Sequence, residues 1–154
     1  AQTGLVLVRV QMAVVYLFAA VLKFPSEEWA NGTALYYWWQ NAVFGSPGFL
    51  RPLMAWLGRS LLVVPLTWGV LLLELSLAAA LVAPLRFRRR LLPLALLFHA
   101  GIAVIHGMPS FALAMIGGLV LYLRPTWQPF PLPQPFRRSL ARRAQPGAQP
   151  SAAR

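Results

Sequence analysis

Apolar residues run along this chain in stretches long enough to cross a lipid bilayer, with polar residues set inside those stretches at helical intervals. About 20 apolar residues in helical form span a hydrocarbon core of ~30 Å. The pattern predicts four spans, over residues 5–24, 61–85, 91–106 and 111–123. The last two are short and separated by little more than Gly107, Met108 and Pro109, so they read as a tight helical hairpin. Between the first two spans lie Trp29, Tyr36, Tyr37, Trp38, Trp39 and Trp56, residue types that gather where membrane meets water. Glu27 and Glu28 suit the first turn of a helix, whose dipole favours negative charge there. A helix over 26–44 is expected to lie along the interface, followed by breaks at Gly45, Pro47, Gly48 and Pro52. The expected fold class is all-α: a polytopic membrane helical bundle of about four transmembrane helices plus an outward interfacial helix.

Composition supports that class. The chain is 58% hydrophobic and 11% charged, with mean hydropathy +0.61, far from an ordinary soluble domain. It has no cysteine, which removes disulfides, thiolate metal sites and cysteine nucleophiles. The net charge of +11 does not point to nucleic acid, because the basic residues fall in short blocks beside apolar runs. The block Arg86, Arg88, Arg89 and Arg90 is expected to be a cytoplasmic loop between spans two and three. That orientation puts the N-terminus inside, segment 24–60 outside and the 107–109 turn outside. Residues 1–124 are then a multi-pass domain of the cell membrane. Residues 125–154, rich in Pro, Gln, Ala and Arg, are expected to be a disordered basic cytoplasmic tail. Its arginines either rest on anionic lipid or are simply solvated. The chain does not begin with Met and opens directly on an apolar run, so processing or truncation is expected.

The polar residues inside the spans carry the candidate chemistry. A charged side chain at mid-bilayer costs roughly 2.5–3.5 kcal/mol on insertion scales, so each needs a partner or a use. Arg9, Tyr16 and Lys23 are spaced by seven and share one helix face. Thr67 and Glu74 share a face of the second span, and His99 and His106 a face of the third. Counted from the arginine block, Glu74 and His99 lie at similar depth, so a Glu74–His99 contact is expected. It serves either a site or an interhelical hydrogen bond. Lys23, at the outer end of span one, is either a snorkelling anchor or a functional amine. His99 and His106 stand about 10 Å apart along a helix, too far to share one ion, and no metal site is expected. Gly117 and Gly118, with Gly101, are expected to permit close helix contact.

The stretch Tyr16-Leu17-Phe18-Ala19-Ala20-Val21-Leu22-Lys23, followed by Trp29, Gly32 and Ala34-Leu35-Tyr36-Tyr37, resembles the horizontally transferred transmembrane (HTTM) domain. That family includes vitamin K-dependent gamma-carboxylase and bacterial membrane proteins that help mature the sporulation-delaying peptide toxin. Leu71-Leu72-Leu73-Glu74-Leu75-Ser76 looks like its acidic intramembrane segment. Phe98-His99, and Pro109-Ser110-Phe111 with Met115, look like its later elements. The resemblance covers residues 9–123 and implies that 1–124 is the C-terminal part of the full family domain. It also implies that Lys23 is a base acting on a reduced quinone or vitamin K-like lipid. Apolar surroundings disfavour the charged form of an amine, which suits that role. The gap from Lys23 to Trp29 is one residue longer than in the family pattern, and the carboxylase's large lumenal domain has no counterpart here.

Under this reading Lys23, Glu74 and His99 form the catalytic group, and Trp29, Tyr37, Trp38 and His106 line a substrate pocket. The substrate is then a quinone-like lipid or an exported peptide under maturation. The alternative is a non-catalytic membrane subunit, a scaffold or immunity factor of DoxX-like size, beside a companion membrane protein. There the same polar residues only join helices. A small transporter is disfavoured, because no inverted repeat is visible.

Overall fold

A computed structural model describes residues 2–124; the expected tail lies outside the described residues. These form seven helices and no strand: α1 (Gln2–Val21), α2 (Glu27–Ala30), α3 (Ala34–Gln40), α4 (Arg51–Arg59), α5 (Val63–Ala79), α6 (Leu85–Ile105) and α7 (Pro109–Leu123). The all-helical class expected from the apolar periodicity is what the chain adopts. Proline and glycine set most boundaries. The turn after α1 closes against Pro25, which can neither donate to the helical ladder nor leave its predecessor helical. α6 starts directly behind Pro84, and Pro109 opens α7, where its missing N–H costs nothing.

α1 packs between α5 and α7, α6 packs along α7, and α3 rests on α4 and α5. The main core lies where α1, α5, α6 and α7 meet, around Tyr16, Leu77, Ala95, Leu119 and Tyr122. The Tyr122 hydroxyl donates to the Leu77 carbonyl at 2.7 Å, tying α7 to α5. Gly118 sets the approach of α7 to α1, since a Cβ there would stand 2.7 Å from Met12 Sδ. Gly101 and Gly117 face open space, so of the three small residues expected at contacts only Gly118 makes one.

Three expectations are corrected. The arginine block is not a loop. Arg86 to Arg90 form the first turns of α6, because Pro84 fixes the helix start and arginine is a good helix former. Arg88 reaches back to the turn that follows α5, donating to the carbonyls of Leu81 and Ala83 at 2.8 and 3.2 Å. The single helix expected over 26–44 is two helices. Gly32 takes φ +82°, and the Asn31 side chain accepts from both the Thr33 amide and hydroxyl, a turn that competes with helix. α4, which was expected to be broken backbone, is a helix because Pro52 sits in its first turn, the one position where proline is harmless.

Only Thr3–Val21, among the described residues, is by itself long and apolar enough to cross a bilayer. α4 and α5 pass that test jointly but are bent by 96°, and α7 is apolar yet 15 residues long. Apolar side chains nonetheless point outward from every long helix. Leu7, Leu22, Leu72, Leu97 and Leu113 are each more than 60% exposed.

Candidate functional site

The chain turns over at the end of α1 and delivers Lys23 beside α5. Its ammonium donates to Glu74 Oε1 at 2.5 Å and Oε2 at 2.6 Å, joining residues 51 apart in sequence. The Glu74 side chain is 7% exposed and that of Lys23 20%. Trp29, from α2, places its ring 5.0 Å from the same ammonium, a cation–π contact on a side the carboxylate leaves open. Trp29 is held in turn by Ala34 and Leu71.

The return to α3 depends on Gly32. Its φ of +82° is a left-handed conformation that costs other residues, and a Cβ there would lie 2.7 Å from Val64 Cγ1. Glycine therefore lets the α2–α3 turn close onto α5. The Leu35 amide then donates to the buried Thr67 hydroxyl at 3.4 Å, one further tie to the helix that carries Glu74. At the exposed rim, the Ser26 hydroxyl donates to Glu28, which holds that carboxyl below its usual range.

Together these elements line an open-mouthed cavity of about 360 Å³ between α5 and α6, beneath α2 and α3. Lys23 and Glu74 are its charged groups; Trp29, Trp38, Phe44, Phe98 and Phe111 are its aromatic walls. The size lies within the range of small-molecule sites, which are mostly apolar with a few polar groups that fix orientation. His106 completes the lining. Its Nδ1 is 2.7 Å from the Phe44 carbonyl, and a carbonyl only accepts, so Nδ1 carries a proton and donates to it.

Of the expected site residues, Lys23, Glu74, Trp29, Trp38 and His106 line one cavity. Tyr37 does not. It is 58% exposed and lines a neighbouring pocket of about 340 Å³ with Ser26, Glu28 and Asn41. The expected Glu74–His99 contact is replaced by Lys23–Glu74. His99 lies behind the cavity wall, donating from Nδ1 to the Ala95 carbonyl at 2.9 Å. Its Nε2 therefore accepts from the Tyr16 hydroxyl, at 3.4 Å. Depth counting missed this because it ignored azimuth: α1 stands against α5, while α5 and α6 touch little. Reasoning from polar residues also missed the lining side chains Leu35, Val70, Ile102 and Met108. Nothing in their sequence context separates them from ordinary core.

Among the described residues, fold and site define an all-helical protein, with one bilayer-length apolar helix and a lysine–glutamate ion pair set in an aromatic-walled cavity. The chain belongs to the HTTM domain family, which it matches over residues 3–127. It is 40% identical over 122 residues to the sporulation-delaying protein SdpB of Bacillus subtilis, covering 79% of this chain and 38% of that protein. It is 41% identical over 118 residues to YitO of the same organism, covering 77% of this chain and again 38% of the relative. The chain thus spans well under half the length of these relatives. No solved structure matches it.

Proposed function

We propose that this chain is the membrane-embedded functional part of an HTTM protein that helps mature an exported peptide, with Lys23 as its base. The observation that carries the reading is the Lys23–Glu74 pair, largely buried in an apolar cavity. A solitary anchor would reach for water, whereas this amine turns inward to a carboxylate and an indole. Away from bulk water, transfer of one proton from Lys23 to Glu74 leaves a neutral amine, able to take a proton from a weakly acidic substrate group. A ring-bearing lipid such as a reduced quinone suits the lining: the aromatic walls can stack on it, and the ion pair offers both donor and acceptor. Trp29, Trp38 and His106 would orient such a molecule. The similarity to SdpB, a sporulation-delaying protein, supports the peptide connection.

The bilayer setting rests on the outward apolar surface of α1, α5, α6 and α7. Those four helices cross the membrane in this reading. α5 is 17 residues, or about 26 Å at 1.5 Å per residue, and the preceding Leu61 and Leu62 extend its apolar length. Arg9, the arginines of α6 and Arg124 mark the cytoplasmic end. The cavity then opens near the outer face, where α2, α3 and α4 lie as the interfacial element.

The test compares wild type with Lys23→Ala and Lys23→Arg in the native host, reading the mature exported peptide by mass spectrometry and the membrane protein by immunoblot. Lys23→Arg should abolish mature peptide at unchanged protein level, since arginine keeps the ion pair but does not accept a proton, and Lys23→Ala should abolish it when normalised to the protein that remains. Full maturation with Lys23→Arg would reject the base and leave a structural ion pair in a non-catalytic subunit.

A further inference from the structure

A second pocket, of about 340 Å³, lies beside the cavity and shares Trp29, Trp38 and Phe44 with it. One layer of side chains therefore divides the two. Their chemistry differs. The cavity holds a closed ion pair among apolar and aromatic walls, whereas the second pocket adds Ser26, Glu28, Tyr37 and Asn41 to the shared aromatics. Several contacts hold its frame. The Ser26 hydroxyl donates to Glu28 Oε2 at 2.5 Å. Asn41 Oδ1 accepts from the amides of Val43 and Phe44 at 2.8 and 3.0 Å, which fixes the turn that carries the Phe44 ring. The carbonyl of Phe44 is held in turn by His106. The Tyr37 ring packs edge-on against Tyr36, with centroids 5.2 Å apart. The pocket is thus built into α2, α3 and the turn that follows them.

We propose that this outer pocket holds a basic side chain of the exported peptide, an N–H-bearing cation, beside the cavity of Lys23 and Glu74. The inference rests on the function proposed above and adds the place where the peptide is gripped. A carboxylate among aromatic side chains binds a cation by charge and by the ring quadrupoles together. Glu28 stays ionised, because the Ser26 hydrogen bond favours its charged form. A carboxylate offers about four acceptor positions, and Ser26 uses one. The Tyr37 hydroxyl is a further acceptor. Such acceptors favour lysine or arginine, which donate N–H bonds, over the quaternary ammonium of a choline headgroup, which has none to donate. A peptide anchored there presents its adjoining residues to the cavity across the shared wall of Trp29, Trp38 and Phe44.

Fluorine NMR of the full chain, labelled with 5-fluorotryptophan in a neutral detergent, reads the pocket through Trp38, whose signal is identified from Trp38→Phe. N-acetyl-lysine methylamide and its arginine counterpart should shift that signal saturably. Both should bind about fivefold or more tightly than uncharged N-acetyl-norleucine methylamide or choline. Glu28→Gln keeps an acceptor for Ser26 and should lower the affinity for the basic probes by about fivefold. Glu27→Gln removes a carboxylate that does not line the pocket and should cost less than about twofold. Equal binding of norleucine, or an equal loss with Glu27→Gln, would overturn the cation pocket. Tighter binding of choline would make it a lipid-headgroup site and overturn the peptide as occupant. In the native host, Glu28→Gln should lower mature peptide severalfold at unchanged protein level, and full maturation in that variant would overturn the occupant too. The binding measurements involve no turnover, so they decide the pocket whatever Lys23→Arg does to maturation. A wild type that matures no peptide would sink the maturation reading and the occupant together, with the cation pocket still decided by the probes.

Discussion

Lys23 Nζ sits 2.5 and 2.6 Å from the two carboxylate oxygens of Glu74, and this contact joins the end of α1 to the middle of α5. It organises one end of the molecule. The turn after α1, the Trp29 ring and the α2–α3 return all converge on it. A mutually satisfied pair of this kind is asymmetric under mutation: losing one member strands the other.

Glu74→Gln or Lys23→Ala should therefore lower stability by about 3 kcal/mol, because each leaves an unmatched polar group in an apolar cavity. The double variant Lys23→Met, Glu74→Leu should recover most of that loss, since an apolar pair of similar volume avoids the desolvation cost. Thermal unfolding in detergent, followed by intrinsic Trp fluorescence, measures all three. Additive losses in the double variant would mean that the two side chains do not act as a pair.

Gly32→Ala should cost about 1–2 kcal/mol from the left-handed backbone alone. The added Cβ must also displace Val64, whose Cγ1 would lie 2.7 Å away. Gly32→Ala with Val64→Ala should regain the contact part but not the backbone part. Full recovery in that double variant would show that φ at position 32 is of no consequence. The same destabilisation curves decide it, and Trp29 serves as the local reporter.

Much of this was legible beforehand, and the reasons differ by element. The four long helices follow from apolar length, and α1 and α7 end or begin where Pro25 and Pro109 require. Lys23, Trp29 and Gly32 stood out as the most specific part of the family likeness, and the structure gives two of them a physical role: Trp29 covers the ammonium and Gly32 permits the turn. The partner of Lys23 was not legible. Depth along a helix can be counted from sequence, but which helix stands beside which cannot, and Glu74 was matched to His99 when α1 is its true neighbour. The helical state of 86–90 was hidden because charge was read as loop, although arginine is a good helix former. Tyr37 was grouped with Trp38 among the aromatics of 29–39, yet neighbours on a helix point some 100° apart, and of these two only Trp38 meets the cavity.

Both histidines should be found as the Nδ1–H tautomer. Ala95 and Phe44 present carbonyl oxygens to Nδ1 of His99 and His106, and a carbonyl cannot donate. Nitrogen-15 spectra of selectively labelled protein distinguish the tautomers directly. Tyr16→Phe should then cost about 1 kcal/mol by removing the hydroxyl that His99 Nε2 accepts. It should leave the Nδ1–H signal of His99 in place. A switch of His99 to the Nε2–H form in wild type would contradict the Tyr16 bond.

The adjacent glycines of α7 should respond in opposite directions. Gly117 has open space where a Cβ would be built, and it lies inside a helix. Gly117→Ala therefore removes backbone entropy from the unfolded chain without a clash, and should raise stability by about 0.5–1 kcal/mol. Gly118 points at α1, with Met12 Sδ and Cε within 2.7 and 2.9 Å of the built Cβ. Those atoms are the far end of a flexible side chain, so Gly118→Ala is partly absorbed by a change of Met12 rotamer. Gly118→Leu is not absorbed: its bulk must push α7 off α1, beside the buried Tyr122 and Leu119, and overpacking of this kind costs about 1–3 kcal/mol or more. Unfolding of the three variants in the same detergent gives the order Gly117→Ala, wild type, Gly118→Ala, Gly118→Leu from most to least stable. If Gly118→Leu ranked with wild type, α7 would not lie against α1 as described, and the core shared by those two helices would have to be redrawn.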